Sequence, residues 1–222
     1  MELVTSKEIA KVIGTDKFGL IGTFTGWILL RLLRISKINK IYQKHKDKKD
    51  LYFLNGILEE FQIEIEIPEE DLKRIPKNGS FITVSNHPLG GIDGILLLKL
   101  LIEYRPDYKI IANFLLHRIE PLKSYVMPVN PFENHKDTKS SLMGLKSSLQ
   151  HIKEGSPLGI FPAGEVSTYR DGKLMVDKPW ELGAVKLIKK AEVPVIPIYF
   201  HAKNSKLFYI LSKINDTFRT AK

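Results

Sequence analysis

The sequence predicts an α/β fold, with a layered, largely parallel or mixed sheet flanked by helices and an N-terminal membrane-associating helical segment. Three observations carry this. Short apolar and β-branched runs, such as Phe81-Ile82-Thr83-Val84 and Leu158-Gly159-Ile160-Phe161, alternate with longer segments of helical period. Those two runs lead directly into Pro/Gly turns that carry polar residues. The 222 residues suffice for one such domain with a real core.

The first unusual segment lies within residues 1–49, read as a basic, helical, membrane-associating unit. Phe18–Leu30 holds no charge, yet is well short of the roughly 20 apolar residues that span a bilayer. Ile21, Phe24, Ile28, Leu32 and Ile35 fall at helical spacing and predict one apolar stripe. Gly19, Thr23 and Gly26 predict a small-residue face suited to close packing. Arg31, Arg34, Lys37, Lys40, Lys44, Lys46, Lys48 and Lys49 follow. A Trp-bearing apolar helix leading into a basic stretch suits a membrane interface.

Residues 50–222 are read as the α/β domain. Leu51–Phe61 has helical spacing, and Gln62–Ile67 alternates as a strand. Pro68 opens a short acidic helical turn that ends near Pro76-Lys77-Asn78-Gly79. Strands are expected at Ser80–Ser85, Tyr108–Ala112, Ser124–Val129, Leu158–Phe161 and Val195–Phe200. Helices are expected at Ile92–Tyr104, from Thr138 to about Glu154, and at Trp180–Lys190. The prolines of Val193-Pro194-Val195-Ile196-Pro197-Ile198 place that last strand at a sheet margin. Lys206–Asp216 has an amphipathic helical pattern with no clear closing element after it. Two alternatives stand there: a domain truncated at the C-terminus, or a chain that ends at Lys222.

Composition narrows the function classes. There is no cysteine, which excludes disulfides, thiolate catalysis and Cys-ligated zinc. The six histidines are scattered, with no pair at helical ligand spacing, so no metal site is expected. The N-terminus lacks the pattern of a secretory signal. Formal net charge is +9, which favours anionic surfaces. The basic residues cluster beside an apolar helix rather than among stacking aromatics, which argues against nucleic acid.

The sharpest constellation is Ser85-Asn86-His87-Pro88-Leu89-Gly90-Gly91-Ile92-Asp93-Gly94. It follows a buried-type strand and precedes an apolar helix, so His87 falls where α/β sheets collect ligands. The glycines let the chain turn back, bringing Asp93 toward the imidazole. A histidine held by a carboxylate is a general base, because the carboxylate fixes the tautomer and stabilises the imidazolium. The plainer alternative is a helix-capping Asp beside a turn His. The second constellation, Gly159-Ile160-Phe161-Pro162-Ala163-Gly164-Glu165-Val166-Ser167, leaves its strand at the same expected edge. Backbone N–H groups of such a turn can hold an anion or an oxyanion.

Taken together, these motifs resemble the glycerolipid acyltransferase superfamily over roughly Ser80 to Phe200. Its members carry Asn-His and a nearby Asp, then Phe-Pro-Glu-Gly-Thr-Arg-Ser, then an apolar Val-Pro-x-x-Pro strand; all three appear here in order. The resemblance implies that family's layered fold, an acyl-CoA or acyl-carrier-protein donor, no bound cofactor, and a His87/Asp93 catalytic pair. It also implies substrate contacts at Asn86, Gly90, Gly91 and Asn130, and along Phe161, Pro162, Ala163, Gly164, Glu165 and Ser167. Five residues, Pro88 to Ile92, separate His87 from Asp93, where the family usually has four. Val166 and Asn130 stand where the family places two phosphate-reading arginines. The strings are similar to a bacterial branch labelled hemolysin-like, which includes enzymes of ornithine- and glycine-lipid synthesis.

The expected function is therefore acyl transfer to the hydroxyl or amine of a lyso-lipid, with a lyso-aminolipid favoured. The expected place is the cytoplasmic face of the inner membrane, as a peripheral or monotopic protein. The alternatives are a 1-acyl-sn-glycerol-3-phosphate acyltransferase, reading phosphate with Arg118, Lys123, Arg170 or Lys173, and a non-enzymatic membrane-binding module.

Overall fold

The computed structural model describes residues 3–12, 14–32, 35–129, 138–170 and 174–205. It divides into two compact units, Met1–Glu64 with Arg118–Pro121, and Ile65–His117 with Leu122–Lys222.

The first unit is helical. It contains α1 (Ser6–Val12), a 3-10 turn at Asp16–Phe18, α2 (Leu20–Leu32), α3 (Ile35–His45) and α4 (Asp50–Glu60). Helix α2 rests on α1 through glycine. A Cβ at Gly26 would fall 2.2 Å from the Ser6 carbonyl oxygen, and one at Gly22 would fall 1.8 Å from that of Thr15. The packing face is thus Gly22 and Gly26, not the predicted Gly19-Thr23-Gly26. Gly19 instead ends the 3-10 turn at φ +59°, and the Thr23 hydroxyl donates to its carbonyl. Of the predicted stripe, Ile21, Phe24 and Ile28 lie exposed on α2 beside exposed Leu20 and Trp27, whereas Ile35 opens the separate helix α3. Helix α4 buries Phe53, Leu54, Ile57 and Leu58. The buried imidazole of His45 on α3 lies over Gly56, and its Nε2 meets Glu60 at 3.3 Å.

Residues 63–68 form no strand, against the alternation of Gln62–Ile67. Ile65 is exposed and, among the described residues, the segment pairs with no strand, so its pattern has no sheet face to bury. The short helix α5 (Glu69–Leu72) follows Pro68, as the proline predicts.

The second unit is built on a five-stranded sheet. Its strands are β1 (Ile82–Ser85), β2 (Lys109–Asn113), β3 (Val126–Val129), β4 (Leu158–Ile160) and, after a separate hairpin of β5 (Thr168–Arg170) and β6 (Leu174–Val176), β7 (Val195–Ile198). The order is β3-β2-β4-β1-β7, and every pairing is parallel. The proline-bearing strands β3 and β7 occupy the two edges, where missing N–H donors cost least. The connections are α6 (Gly91–Tyr104), α7 (Phe114–His117) with a 3-10 turn at Glu120–Tyr125, α8 (Thr138–Lys153) and α9 (Leu182–Ala191). The amphipathic pattern at Lys206–Asp216 lies outside the described residues, as do Asn130 and Lys173.

Side chains alternate across the sheet. Ile82, Val84, Leu158 and Ile160 pack with Ile152 of α8 and Leu187 of α9. The opposite face carries Thr83, Tyr108 and Ile110, with Ile110 against Gly94 of α6. Tyr108 is fully buried and shares a 2.6 Å hydrogen bond with Thr83. Burial pushes its phenol far above the ordinary tyrosine range, so it stays neutral. At the other end of the sheet from the motif loops, buried Arg105 makes a paired contact with both Asp107 carboxylate oxygens, 2.9 and 2.7 Å. It also donates to the carbonyls of Gly79 and Gly155, tying three loops together.

Gly159 of β4 faces Tyr108. A Cβ there would lie 1.9 Å from the phenol oxygen. Gly159→Ala is therefore expected to destabilise the fold by about 1–3 kcal/mol, the usual cost of overpacking. Adding Tyr108→Phe removes the colliding oxygen, so the double variant should be more stable than Gly159→Ala alone in urea unfolding.

Candidate active site

Strands β1 and β4 are parallel neighbours, with Val84 opposite Ile160. The segments that follow them, 86–94 and 161–167, therefore emerge side by side. Strand β7 flanks β1 on the other side, with Ser85 opposite Ile198, and delivers residues 199–204 to the same edge. Carboxyl ends of parallel strands are where such sheets bind ligands, because helices cover the faces and leave the edge open.

Asn86 fixes the start of the loop. Its amide nitrogen donates to the Phe200 carbonyl at 3.0 Å, and its amide oxygen accepts the Phe200 N–H at 2.7 Å. Asn204 donates to the Pro88 carbonyl at 2.6 Å. Gly90 then takes φ +82°, a region costly for any side chain, and Gly91 opens α6. That turn places Asp93, on the first turn of α6, back under the loop. One oxygen, Oδ2, accepts the Leu89 N–H at 2.8 Å, the Gly90 N–H at 3.0 Å and the His87 ring at 2.9 Å. Asp93 is fully buried, while the His87 side chain is 19% exposed. The five intervening residues thus still allow the His87–Asp93 contact.

The contact assigns the tautomer. An oxygen already taking two N–H donors acts as acceptor, so Nδ1 of His87 donates and, in the neutral ring, Nε2 is the nitrogen with the lone pair. The ring stacks on Phe161, with centroids 4.4 Å apart. A neutral imidazole held this way can take a proton at Nε2.

The second motif is a tight turn. The Gly164 N–H closes it by donating to the Phe161 carbonyl at 2.9 Å, with Gly164 at φ +68°. That amide is engaged internally. Pro162 accepts the Glu181 N–H, joining the turn to the start of α9, and Ala163 is buried. Glu165 pairs with Lys178. Val166 and Ser167 are buried.

Of the sequence-predicted residues, the structure links His87, Asp93, Gly90 and Phe161 directly, and joins Ser167 to His87 through a Ser167 N–H to His87 carbonyl bond of 2.8 Å. Arg118 is engaged with Glu8 in the helical unit. Sequence reasoning missed Asp177, whose carboxylate accepts the His87 N–H and the Ser167 hydroxyl. The available signal was Asp171-Gly172 between the β-prone Thr168-Tyr169 and the apolar Leu174-Met175-Val176, a hairpin pattern that would have put Ser167 and Asp177 at one base. Among the described residues, no group of three or more His, Asp or Glu is placed to hold a metal.

The fold and this edge define a class of α/β enzyme whose His/Asp pair sits on the loop after the first strand. The family profile described as acyltransferase matches residues 17–220, and the chain belongs to that family. It is an enzyme that transfers acyl groups. It is similar to a lyso-glycine lipid O-acyltransferase of Phocaeicola vulgatus, 28% identical over 214 residues, covering 96% of this chain and 74% of that protein. It is also similar to a lyso-glycine lipid O-acyltransferase of Bacteroides thetaiotaomicron, 27% identical over 215 residues, covering 96% and 75%.

Proposed function

We propose that the chain transfers a fatty acyl group from a thioester donor, acyl-carrier protein or acyl-CoA, to the hydroxyl (or amine) of a lyso-aminolipid, with His87 as general base. The observation that carries this is the 2.9 Å contact between buried Asp93 and the His87 Nδ1, at the open edge of the sheet. The acceptor O–H gives its proton to Nε2 as its oxygen attacks the thioester carbonyl. The tetrahedral adduct then expels the thiolate, which takes the proton back from the imidazolium. Carbon–sulfur is exchanged for carbon–oxygen, and the scheme uses no bound cofactor.

Two features favour an acceptor without phosphate. Val166 is buried where the wider family places an arginine. The carboxylates of Asp93 and Asp177 both bear on His87, and the Lys178 ammonium is already paired with Glu165. A phosphate brings up to two further negative charges, and without a paired guanidinium fork its desolvation is uncompensated. The names of the two similar proteins point the same way.

We place the enzyme at the cytoplasmic face of the inner membrane, held by its N-terminal helical unit. No described helix is long and apolar enough to cross a membrane. At 13 residues, α2 is about 20 Å long, against a hydrocarbon core of about 30 Å. Its exposed apolar face suits burial in the interface. Phe24 stacks on Trp27, Arg31 covers the Trp27 ring, and Lys17 lies over Phe18. Cations folded over interfacial aromatics match a headgroup layer of anionic lipid.

Three measurements test this reading. His87→Ala should lower turnover about 10²–10⁴-fold, the usual contribution of a general base, with the fold retained by circular dichroism; full activity would remove His87 from the chemistry. In a competition with one donor, an N-acylated amino acid bearing a free hydroxyl should be used in preference to lysophosphatidic acid. A tenfold preference for the phosphate, about 1.4 kcal/mol, would reverse the acceptor assignment. Phe24→Glu with Trp27→Glu should cut sedimentation with anionic vesicles severalfold and leave the unfolding midpoint in place, because both side chains are already exposed. Unaltered sedimentation would move the membrane contact elsewhere.

A further inference from the structure

The His87 ring is held by Asp93, but its main chain is held by a different carboxylate. The His87 N–H lies 3.2 and 3.4 Å from the two oxygens of Asp177. Asp177 Oδ1 also accepts the Ser167 hydroxyl, and the Ser167 N–H donates to the His87 carbonyl at 2.8 Å. These bonds close a ring through His87, Ser167 and Asp177 that engages both polar groups of His87's main chain. The two partners sit at one base of the β5–β6 hairpin, flanking the Thr168–Val176 pair.

We propose that Asp177 is a positioning residue for His87, acting with Ser167 to fix the backbone from which the imidazole projects. This rests on His87 being the general base. Asp93 fixes only Nδ1; a ring pivoting about that contact would still satisfy Asp93 while Nε2 swept through an arc. The backbone clamp removes that freedom, and the stack on Phe161 removes the tilt. Proton transfer is sensitive to such displacements, with an error of about 1 Å costing on the order of 10²-fold in rate. The hairpin is thereby coupled to the proton acceptor through the main chain of His87.

The role is one of geometry, so a neutral isostere should preserve it. In Asp177→Asn the amide oxygen can still accept the His87 N–H, and the Ser167 hydroxyl can turn to accept from the amide nitrogen. Steady-state kinetics of the full chain, with an acyl thioester and a hydroxyl-bearing N-acylated amino acid, should give this pattern. Asp177→Ala lowers kcat about 10–100-fold with KM for both substrates within about twofold. Asp177→Asn stays within about threefold of the parent, and Ser167→Ala falls between. Melting curves accompany each variant, and if Asp177→Ala does not fold, Asp177→Asn and Ser167→Ala carry the test. Unchanged kcat in Asp177→Ala or, should that variant not fold, in Ser167→Ala overturns the proposal. So does a change confined to KM, or Asn failing as badly as Ala. His87→Ala run alongside separates the two levels: an active His87→Ala removes the base itself, whereas an inactive one beside a fully active Asp177→Ala removes only the clamp.

Discussion

One carboxylate oxygen organises this site. Asp93 Oδ2 is buried and takes three N–H donors, two from the loop and one from the imidazole. A buried carboxylate is costly unless hydrogen-bonded, so the loop must wrap around it. The loop shape, the start of α6 and the orientation of the ring are consequently one constraint rather than three. The positive end of the α6 dipole adds to it, since Asp93 lies in the first turn. The extra residue between His87 and Asp93 is accommodated because Gly90 turns where a side chain would resist.

Much of the α/β unit was legible from pattern alone. Strands β1, β2, β4 and β7 are short apolar runs bounded by turn residues, and α6, α8 and α9 carry the helical period over ten or more residues. The edge position of β7 was foreshadowed by Pro194 and Pro197. Other features were not legible, for physical reasons. Gln62–Ile67 has perfect alternation, but alternation describes a face, and no neighbouring strand supplies the ladder. The β5–β6 hairpin has three-residue strands, too short to show a period. In α2, periodicity identified the apolar stripe but not its direction, because only the close approach at Gly22 and Gly26 decides which side packs.

The site itself was half visible. His87 and Asp93 lie close in sequence, so a glycine-rich turn announced their meeting. Asp177 lies far along the chain and reaches His87 only through the hairpin that Ser167 begins. A lone aspartate before Lys178-Pro179 carries no spacing signal of its own. Local contacts can be read from a motif; the contact that fixes the main chain is non-local and needs the fold. The same asymmetry holds for Asn86, whose neighbours suggest a substrate contact while its amide is committed to the Phe200 backbone.

The strand order has a consequence for how the protein comes to be assembled. Both neighbours of β1, the strands β4 and β7, lie later in the chain, as do Ser167 and Asp177. While the chain is being synthesised, β1 and its histidine loop precede both of their ladder partners, and within the described five-stranded sheet only β2 and β3 pair with a sequence neighbour. Long-range pairing of this kind is slow because loop closure must precede its reward. The apolar Phe81–Val84 run thus precedes its ladder partners by more than 70 residues of chain, which makes it a stretch that gains from protection during biogenesis.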